Sequence, residues 1–101
     1  DKSVKISILL EIYKNMLTDR QADIVDLYYN QNLSLSEIAD ELKISRQAVR
    51  KSLVEAEKNL LMLEERLNIF QKQQIRQEKI DKILKLINDT KISELIEELR
   101  I

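Results

Sequence analysis

The chain contains neither glycine nor proline. Most tight turns between strands depend on these two residues, because glycine accepts a positive φ and proline presets the turn. This chain of 101 residues has neither, and it is rich in leucine, isoleucine, lysine and glutamate. It therefore lacks the residues that usually form the turns between the strands of a sheet. We therefore predict an all-α fold, in a length that suits one domain with a single hydrophobic core.

Cysteine and histidine are absent as well. The chain can therefore form no disulfide and no thiolate metal site, and it lacks the commonest general base. We predict that it is not an enzyme and that it binds no cofactor and no metal. No apolar run approaches the roughly 20 residues that cross a bilayer, and the N-terminal residues lack the features of a signal peptide. We expect a cytoplasmic protein without membrane insertion.

Hydrophobic periodicity and a capping motif define the first two helices. Apolar residues at helical spacing predict a first helix over residues 4–17. Thr18 and Gln21 then match a capping box, in which each side chain bonds the backbone of the other residue. The second helix, which begins at Thr18, should end at residues 30–32, because asparagine tolerates the left-handed conformation of a helix C-cap.

A second capping box at Ser34 and Glu37 begins a short helix that should run to about Leu42. Ser45 can cap the next helix. Lys43 lies in the turn between them, and if it adopts a left-handed conformation the cost is about 1 kcal/mol. Two helices joined by so short a turn indicate a helix-turn-helix over residues 34–53, whose second helix enters the major groove with its N-terminal residues. Arginine there can bind guanine, and glutamine can bind adenine. The candidate nucleic-acid-binding residues are Ser45, Arg46, Gln47, Arg50 and Lys51.

Charge is unevenly distributed along the chain. Residues 1–44 have a formal net charge of −3, residues 45–76 of +3, and the remaining residues of −1. Three acidic residues that would repel phosphates lie in the helix before the reading helix: Glu37, Asp40 and Glu41. The bases of the reading helix could also form i, i+4 pairs with Glu55 and Glu57 on a solvated face. The motif therefore predicts a helix-turn-helix, while contact with DNA stays open at this point.

After Ser45 no stop signal occurs before residues 88–90. We predict one helix over residues 46–77, roughly 48 Å long, with a bend at residues 71–74, and a last amphipathic helix after Thr90. Apolar residues recur along it with the 4-3 spacing of a coiled-coil seam: Val49, Leu53, Ala56, Leu60, Leu63, Leu67 and Phe70.

This helix would be longer than the roughly 35 Å diameter of so small a domain. The seam is therefore either a dimer or partner interface or, alternatively, the inside of a bundle. The candidate interface residues are Leu60, Leu63, Leu67 and Phe70. We expect one continuous domain, with the N-terminal helices and the helix-turn-helix in residues 1–53 and the long helix and helical tail in residues 54–101.

Several segments resemble known proteins. Leu17-Thr18, Tyr28-Tyr29 and "SLSEIADELKISRQAV" are similar to region 4 of the sigma-70 factors, a helix-turn-helix that reads promoters. A longer resemblance, carried by "LYYNQNLSLSEIADEL", "ISRQAV" and "EKNLLMLEERLNIFQK", is to the YlxM-like proteins. These are small bacterial helix-turn-helix proteins whose genes neighbour those of the signal recognition particle GTPase.

The resemblance implies a sigma-70 region 4-like helix-turn-helix with a long C-terminal helix and a helical tail. It also implies a homodimeric regulatory protein of the signal recognition particle pathway, whose partners would be DNA, RNA or the particle's GTPase. Four positions match the reading helix of the family: Ser45, Arg46, Gln47 and Arg50. Arg50 stands where the family usually has an aromatic residue, and Val54-Glu55 replaces a more basic pair, which predicts weak phosphate binding. The alternative is an adaptor that binds no DNA and contacts the GTPase or another protein through its helical seam.

Overall fold

The computed structural model describes residues 1–100, and within them it contains six α-helices and no strand. The predicted all-α fold is confirmed. None of these helices combines the length and the apolar character needed to cross a membrane. The helices are α1 (Lys2–Tyr13), α2 (Asp19–Val25), α3 (Leu35–Leu42), α4 (Arg46–Leu67), α5 (Ile69–Lys85) and α6 (Thr90–Glu97).

Both predicted capping boxes are present. The backbone N–H of Gln21 donates to Thr18 Oγ1 at 3.1 Å, and the backbone N–H of Thr18 donates to Gln21 Oε1 at 3.3 Å. Ser34 and Glu37 form the same pair of bonds at 3.1 and 3.0 Å. These bonds satisfy backbone donors that have no partner inside the helix, so α2 and α3 begin where the sequence predicts.

Helix ends are less regular than helix starts. The first helix ends at Tyr13 and continues as a 3-10 turn over Lys14–Met16, whereas α2 continues as a π-helical turn over Asp26–Asn30. Asn32 and Lys43 follow α2 and α3 with φ of 58° each. Lys43 adopts the left-handed conformation considered for this turn, and the predicted end of the second helix near residues 30–32 is confirmed.

The prediction of one unbroken helix over residues 46–77 is wrong. Helix α4 ends at Leu67, and Asn68 adopts a left-handed conformation with φ 54° while its backbone N–H donates to the Glu64 carbonyl at 2.8 Å. Asparagine takes this conformation at low cost because its short polar side chain can bond locally. The bend expected at residues 71–74 does not occur either, since those residues lie within α5.

Contacts divide the chain into two compact units after Asn68. The N-terminal unit is Asp1–Asn68, and the C-terminal hairpin comprises the described residues from Ile69 onward. The predicted boundary after Leu53, within one continuous domain, stays a prediction.

The core of the N-terminal unit lies where α4 packs against α1, α2 and α3. Its largest fully buried side chains come from all four helices: Ile6, Leu9, Tyr13, Ile24, Val25, Ile38, Val49 and Leu60. Leu53 and Ala56 are buried as well. The first half of the 4-3 seam is therefore the inside of this unit, which was the alternative to an interface.

The C-terminal hairpin consists of α5 and α6, which run antiparallel. Arg100, in the 3-10 turn that follows α6, bonds to the middle of α5: its guanidinium donates to Gln77 Oε1 at 2.6 Å and to Asp81 Oδ1 at 2.5 Å. Asp89 caps α6 by accepting from the backbone N–H of Ile92 at 3.0 Å. Ile80 is the one buried side chain among the described residues of this hairpin.

Candidate nucleic-acid interface

A short turn between α3 and α4 sets the position of the reading helix. The backbone N–H of Ile44 donates to the Ala39 carbonyl at 3.1 Å, and Ser45 Oγ accepts from the backbone N–H of Ala48 at 3.0 Å. Ile38 on α3 and Val49 on α4 are both fully buried, so the two helices are also joined through the core. This is a well-capped helix-turn-helix whose second helix begins at Arg46.

All five predicted contact residues are exposed in the structure, on the first turn and a half of α4 and at its cap. Val49, within the same stretch, is buried and anchors the helix. The exposed residues are Ser45, Arg46, Gln47, Arg50 and Lys51. The structure thus brings them together on one end of the helix, and their contact with nucleic acid stays a prediction.

The cations of this surface have no partner of opposite charge within residues 1–100. None of Arg46, Arg50 and Lys51 forms a salt bridge there. The i, i+4 pairs with Glu55 and Glu57 that a solvated face would form are therefore not observed. Glu57 instead lies 3.2 Å from the Lys2 ammonium group and accepts a hydrogen bond from the Tyr29 hydroxyl.

Two tyrosine–glutamate bonds hold α4 in place, and the sequence did not predict them. Tyr13 donates to Glu64 Oε1 at 2.6 Å, across 51 positions, and Tyr29 donates to Glu57 across 28. Burial, reinforced by the neighbouring Glu57 carboxylate, raises the pKa of Tyr29 above its ordinary value. Glu57 and Glu64 thus bond α4 to the helices that precede it in the N-terminal unit. Bonds at such separations leave no local pattern in a sequence, so periodicity could not reveal them.

The acidic residues of α3 do not all act alike. The backbone N–H of Ser34 and then its hydroxyl lower the pKa of Glu37, so this carboxylate is bound to its own helix cap. Asp40 and Glu41 remain exposed. The first turn of α4 itself carries no acidic residue, which leaves the positive end of that helix without a local carboxylate.

The four predicted interface residues do not form one exposed seam. Leu60 is fully buried in the N-terminal unit, so it has no surface to offer a partner. Leu63 is half-buried, and Leu67 is 39% exposed at the end of α4. Phe70 lies beyond Asn68, in the other unit. An interface through Leu63, Leu67 and Phe70 stays a prediction.

Comparison with known proteins supports the same motif. The model of the family described as "Putative helix-turn-helix protein, YlxM / p13 like" matches residues 1–99. A Mycoplasma mycoides protein named "Probable UPF0122 protein" is 40% identical over 98 residues, which is 97% of this chain and 80% of that protein. A "UPF0122 protein" of Clostridium kluyveri is 38% identical over 104 residues, covering 99% of this chain and 93% of its own length. A third relative, the "UPF0122 protein" of Lactococcus lactis subsp. cremoris, is 38% identical over 85 residues, 84% of this chain and 77% of that protein.

Proposed function

Because the chain belongs to the YlxM/p13-like helix-turn-helix family, we propose that it is a regulatory protein that binds nucleic acid through the N-terminal part of α4. One observation carries the proposal. The polar and basic residues at the start of α4 are exposed, and none of the three cations among them is paired with an acid within residues 1–100. Side chains that are free of internal partners are available to phosphates and base edges.

Each residue suits a different contact. Arg46 and Arg50 lie one helical turn apart and can each bind guanine O6 and N7, while Gln47 can bind adenine N6 and N7. Ser45 Oγ already accepts the Ala48 N–H, which leaves its hydroxyl proton to donate to a phosphate oxygen. Lys51 acts as a point charge for the phosphate backbone.

The affinity should be modest, and its salt dependence should be less steep than that of a strongly basic binder. When a protein neutralises Z phosphates, the logarithm of its binding constant falls with the logarithm of the salt concentration at a slope of about −0.9Z. One reading helix carries three cations that can neutralise phosphates. The chain as a whole has a formal net charge of −1, so long-range attraction adds little. We expect a slope of about −3 for each reading helix that binds.

A salt titration of binding to duplex DNA and RNA, read by fluorescence anisotropy, tests the proposal. Arg46→Ala with Arg50→Ala should weaken binding at low salt by at least about tenfold and reduce the magnitude of the slope by about 2. Lys5→Ala with Lys14→Ala removes the same charge from exposed positions outside the motif and should leave binding within about twofold, since distant exposed charges are screened. Equal losses in the two double variants would show non-specific attraction, and unchanged binding in both would refute the assignment.

The association with the signal recognition particle rests on the family resemblance in the sequence. A pull-down of the particle's GTPase and its RNA, with wild type and the Arg46→Ala, Arg50→Ala variant side by side, separates two ways of acting. Loss of the RNA supports recognition through α4. Retention of the GTPase by the variant supports an adaptor, a second candidate that the exposed apolar side chains of α5 and α6 favour.

If the protein acts as a homodimer on DNA, its two reading helices must reach successive major grooves, roughly 34 Å apart. Cleavage protection of a bound duplex measures that spacing directly. A footprint confined to one groove would contradict dimeric recognition while leaving the single reading helix intact.

A further inference from the structure

A cavity of about 390 Å³ lies in the N-terminal unit, outside the surface proposed to bind nucleic acid. It is formed by the start of α1, the π-helical turn after α2 and the first turn of α3. Its lining combines two aromatic rings, one carboxylate and neutral polar groups, among them Tyr28, Tyr29, Glu37, Asn32 and Ser3. The volume is near the lower end of the range for ligand pockets, so the cavity suits a single side chain or a ligand of similar size.

Two tyrosines form adjoining walls of this tyrosine cavity. The ring centroids of Tyr28 and Tyr29 lie 5.0 Å apart and the ring planes meet at 81°, which is an edge-to-face pair. In such a pair the ring that presents its edge keeps both of its faces clear of the other ring. The Tyr29 hydroxyl donates to Glu57, which fixes the orientation of that ring. Both tyrosines lie in the π-helical turn Asp26–Asn30, a rare conformation that is frequent at functional sites.

The charge of the lining is negative. Glu37 is ionised at neutral pH, because bonds from the backbone and the hydroxyl of Ser34 lower its pKa. Among residues 1–100, no lysine or arginine lines the cavity. Lys2, the neighbour of Ser3 in the sequence, has its charge balanced by Glu57 at 3.2 Å. A cation that enters the cavity is therefore attracted by Glu37 and meets no positive group in the lining.

An anion is a poorer ligand for the same cavity. The N-terminus of a helix attracts anions through its positive partial charge, but both helices that begin here already have a carboxylate at that end. Asp1 accepts from the backbone N–H of Ser3 at the start of α1, and Glu37 accepts from the backbone N–H of Ser34 at the start of α3, each at 3.0 Å. The site therefore selects a positive group and disfavours a phosphate.

A guanidinium group fits this lining better than an ammonium group. It is planar and weakly hydrated, so it can stack on a tyrosine ring while its N–H groups form hydrogen bonds. The Glu37 carboxylate has about four lone-pair sites, and the Ser34 N–H occupies one of them. The side-chain oxygens of Asn32 and Ser3 are further acceptors in the lining. The half-buried Leu33 can pack against the aliphatic stem of an arginine.

We propose that the tyrosine cavity binds an arginine side chain of a partner protein. Asn32, Ser34 and Glu37 are exposed, so an arginine can enter from solvent while the backbone of its own chain stays outside. Stacking on the tyrosines and the bond to Glu37 together distinguish the guanidinium group from other side chains. The lining shares no residue with the reading surface at residues 45–51, so this proposal stands without nucleic-acid binding, and its experiments contain no nucleic acid.

The first test is an NMR titration of the full-length chain with the capped tripeptide Ala-Arg-Ala, read from the ring signals of Tyr28 and Tyr29. We expect weak, saturable shifts. The same tripeptide with citrulline, which keeps the shape of arginine but not its charge, should bind at least about tenfold more weakly. The lysine tripeptide should bind about threefold more weakly, because the ammonium group is more strongly hydrated.

Three results of this titration would overturn the proposal. Ring signals that do not shift would mean that the cavity binds no arginine, and equal binding of the citrulline peptide would remove the role of charge. Agmatine carries the guanidinium group without a peptide. If it binds more than about threefold more tightly than the arginine tripeptide, a small free cation is the ligand instead of a partner protein.

The second test uses matched variants of the lining. Tyr28→Leu removes one ring and should weaken binding of the arginine tripeptide by about fivefold, whereas Tyr28→Phe keeps the ring and should stay within about twofold of the wild type. Circular dichroism checks that both variants are folded. If Tyr28→Leu binds like the wild type, the tyrosine wall has no part in binding and the proposal fails.

The carboxylate is tested in the same way. Glu37→Gln keeps a capping side chain but removes the charge, and it should weaken binding by about fivefold. Glu41→Gln removes the same charge from an exposed position of the same helix outside the lining, and it should have no effect. Equal losses in these two variants would show a general attraction of the peptide to acidic residues and would overturn the assigned site.

Discussion

The N-terminal unit and the C-terminal hairpin are both made of amphipathic helices, but their apolar side chains lie in different surroundings. Thirteen buried core residues belong to the N-terminal unit, against Ile80 in the described part of the hairpin. The first unit packs three helices, α1, α2 and α3, against α4, while the second consists of two helices that pack against each other. Since burial of apolar area is the main driving force of folding, the N-terminal unit should contribute most of the stability of a single chain. The hairpin depends on what covers it.

The largest expected effect compares two leucines. Leu60→Ala should lower the free energy of unfolding by about 3 kcal/mol, because it removes a fully buried side chain and leaves a cavity. Leu95→Ala should change it by less than about 0.5 kcal/mol in dilute solution, since Leu95 is 62% exposed. Urea unfolding followed by circular dichroism measures both. Similar losses from the two changes would mean that the hairpin belongs to the same cooperative core.

The second comparison uses one helix cap from each unit. Ser45 and Asp89 both accept a backbone N–H at 3.0 Å. Ser45→Ala should cost about 1 kcal/mol of global stability, because α4 is central to the core. Asp89→Ala should instead increase local opening of α6, seen as faster amide hydrogen exchange there, with little change in the global transition. A global loss from Asp89→Ala would show that the hairpin unfolds together with the rest of the chain.

A third comparison concerns the left-handed residues. Lys43 has φ 58°, a left-handed conformation that costs a residue with a Cβ atom on the order of 1 kcal/mol. Glycine does not have this cost, so Lys43→Gly should raise the free energy of unfolding by somewhat less than about 1 kcal/mol. Asn68→Gly should have a smaller effect, because asparagine already tolerates that conformation. Thermal unfolding of both variants measures the difference. A destabilised Lys43→Gly variant would indicate that the lysine side chain makes a contact that outweighs the backbone cost.

The smallest effect is a pH dependence confined to the N-terminal unit. The pKa of Glu37 is lowered from its usual 4.5 by bonds from Ser34. A carboxyl whose pKa is lower in the folded state stabilises the fold above its unfolded pKa, and this contribution is lost as the pH falls through the folded value. Glu37→Gln keeps a capping side chain that does not titrate, so its stability should decline less below about pH 4.5 than that of the wild type. Unfolding curves over a pH series make the comparison, and parallel curves would contradict it.

Local chemistry explains what the sequence could predict. The hydroxyls of Thr18, Ser34 and Ser45 stand directly before apolar periodic stretches, and each one caps a helix as expected. The left-handed Lys43 follows from the same spacing, because two capped helices so close together need a sharp turn. The resemblance to the YlxM-like proteins, carried by segments around these caps, is confirmed by the family match over residues 1–99.

The break at Asn68 was missed because two signals conflict there. The 4-3 spacing continues unbroken through Leu67 and Phe70, and a single asparagine lowers helix propensity only slightly. The clustered asparagines at residues 30–32 were a stronger signal, and the chain does turn there. The bonds from Tyr13 to Glu64 and from Tyr29 to Glu57 were missed for another reason, because they depend on tertiary packing.

Asn68 makes the end of α4 depend on the backbone of one residue. If it adopted right-handed angles, α4 and α5 could join into a single helix over residues 46–85, roughly 60 Å long at 1.5 Å per residue. The left-handed turn costs an asparagine little, whereas alanine would lose roughly 1 to 2 kcal/mol there. Asn68→Ala should therefore favour continuous right-handed helix through residues 67–69, so that this one position decides whether the backbone counts as one helix or two.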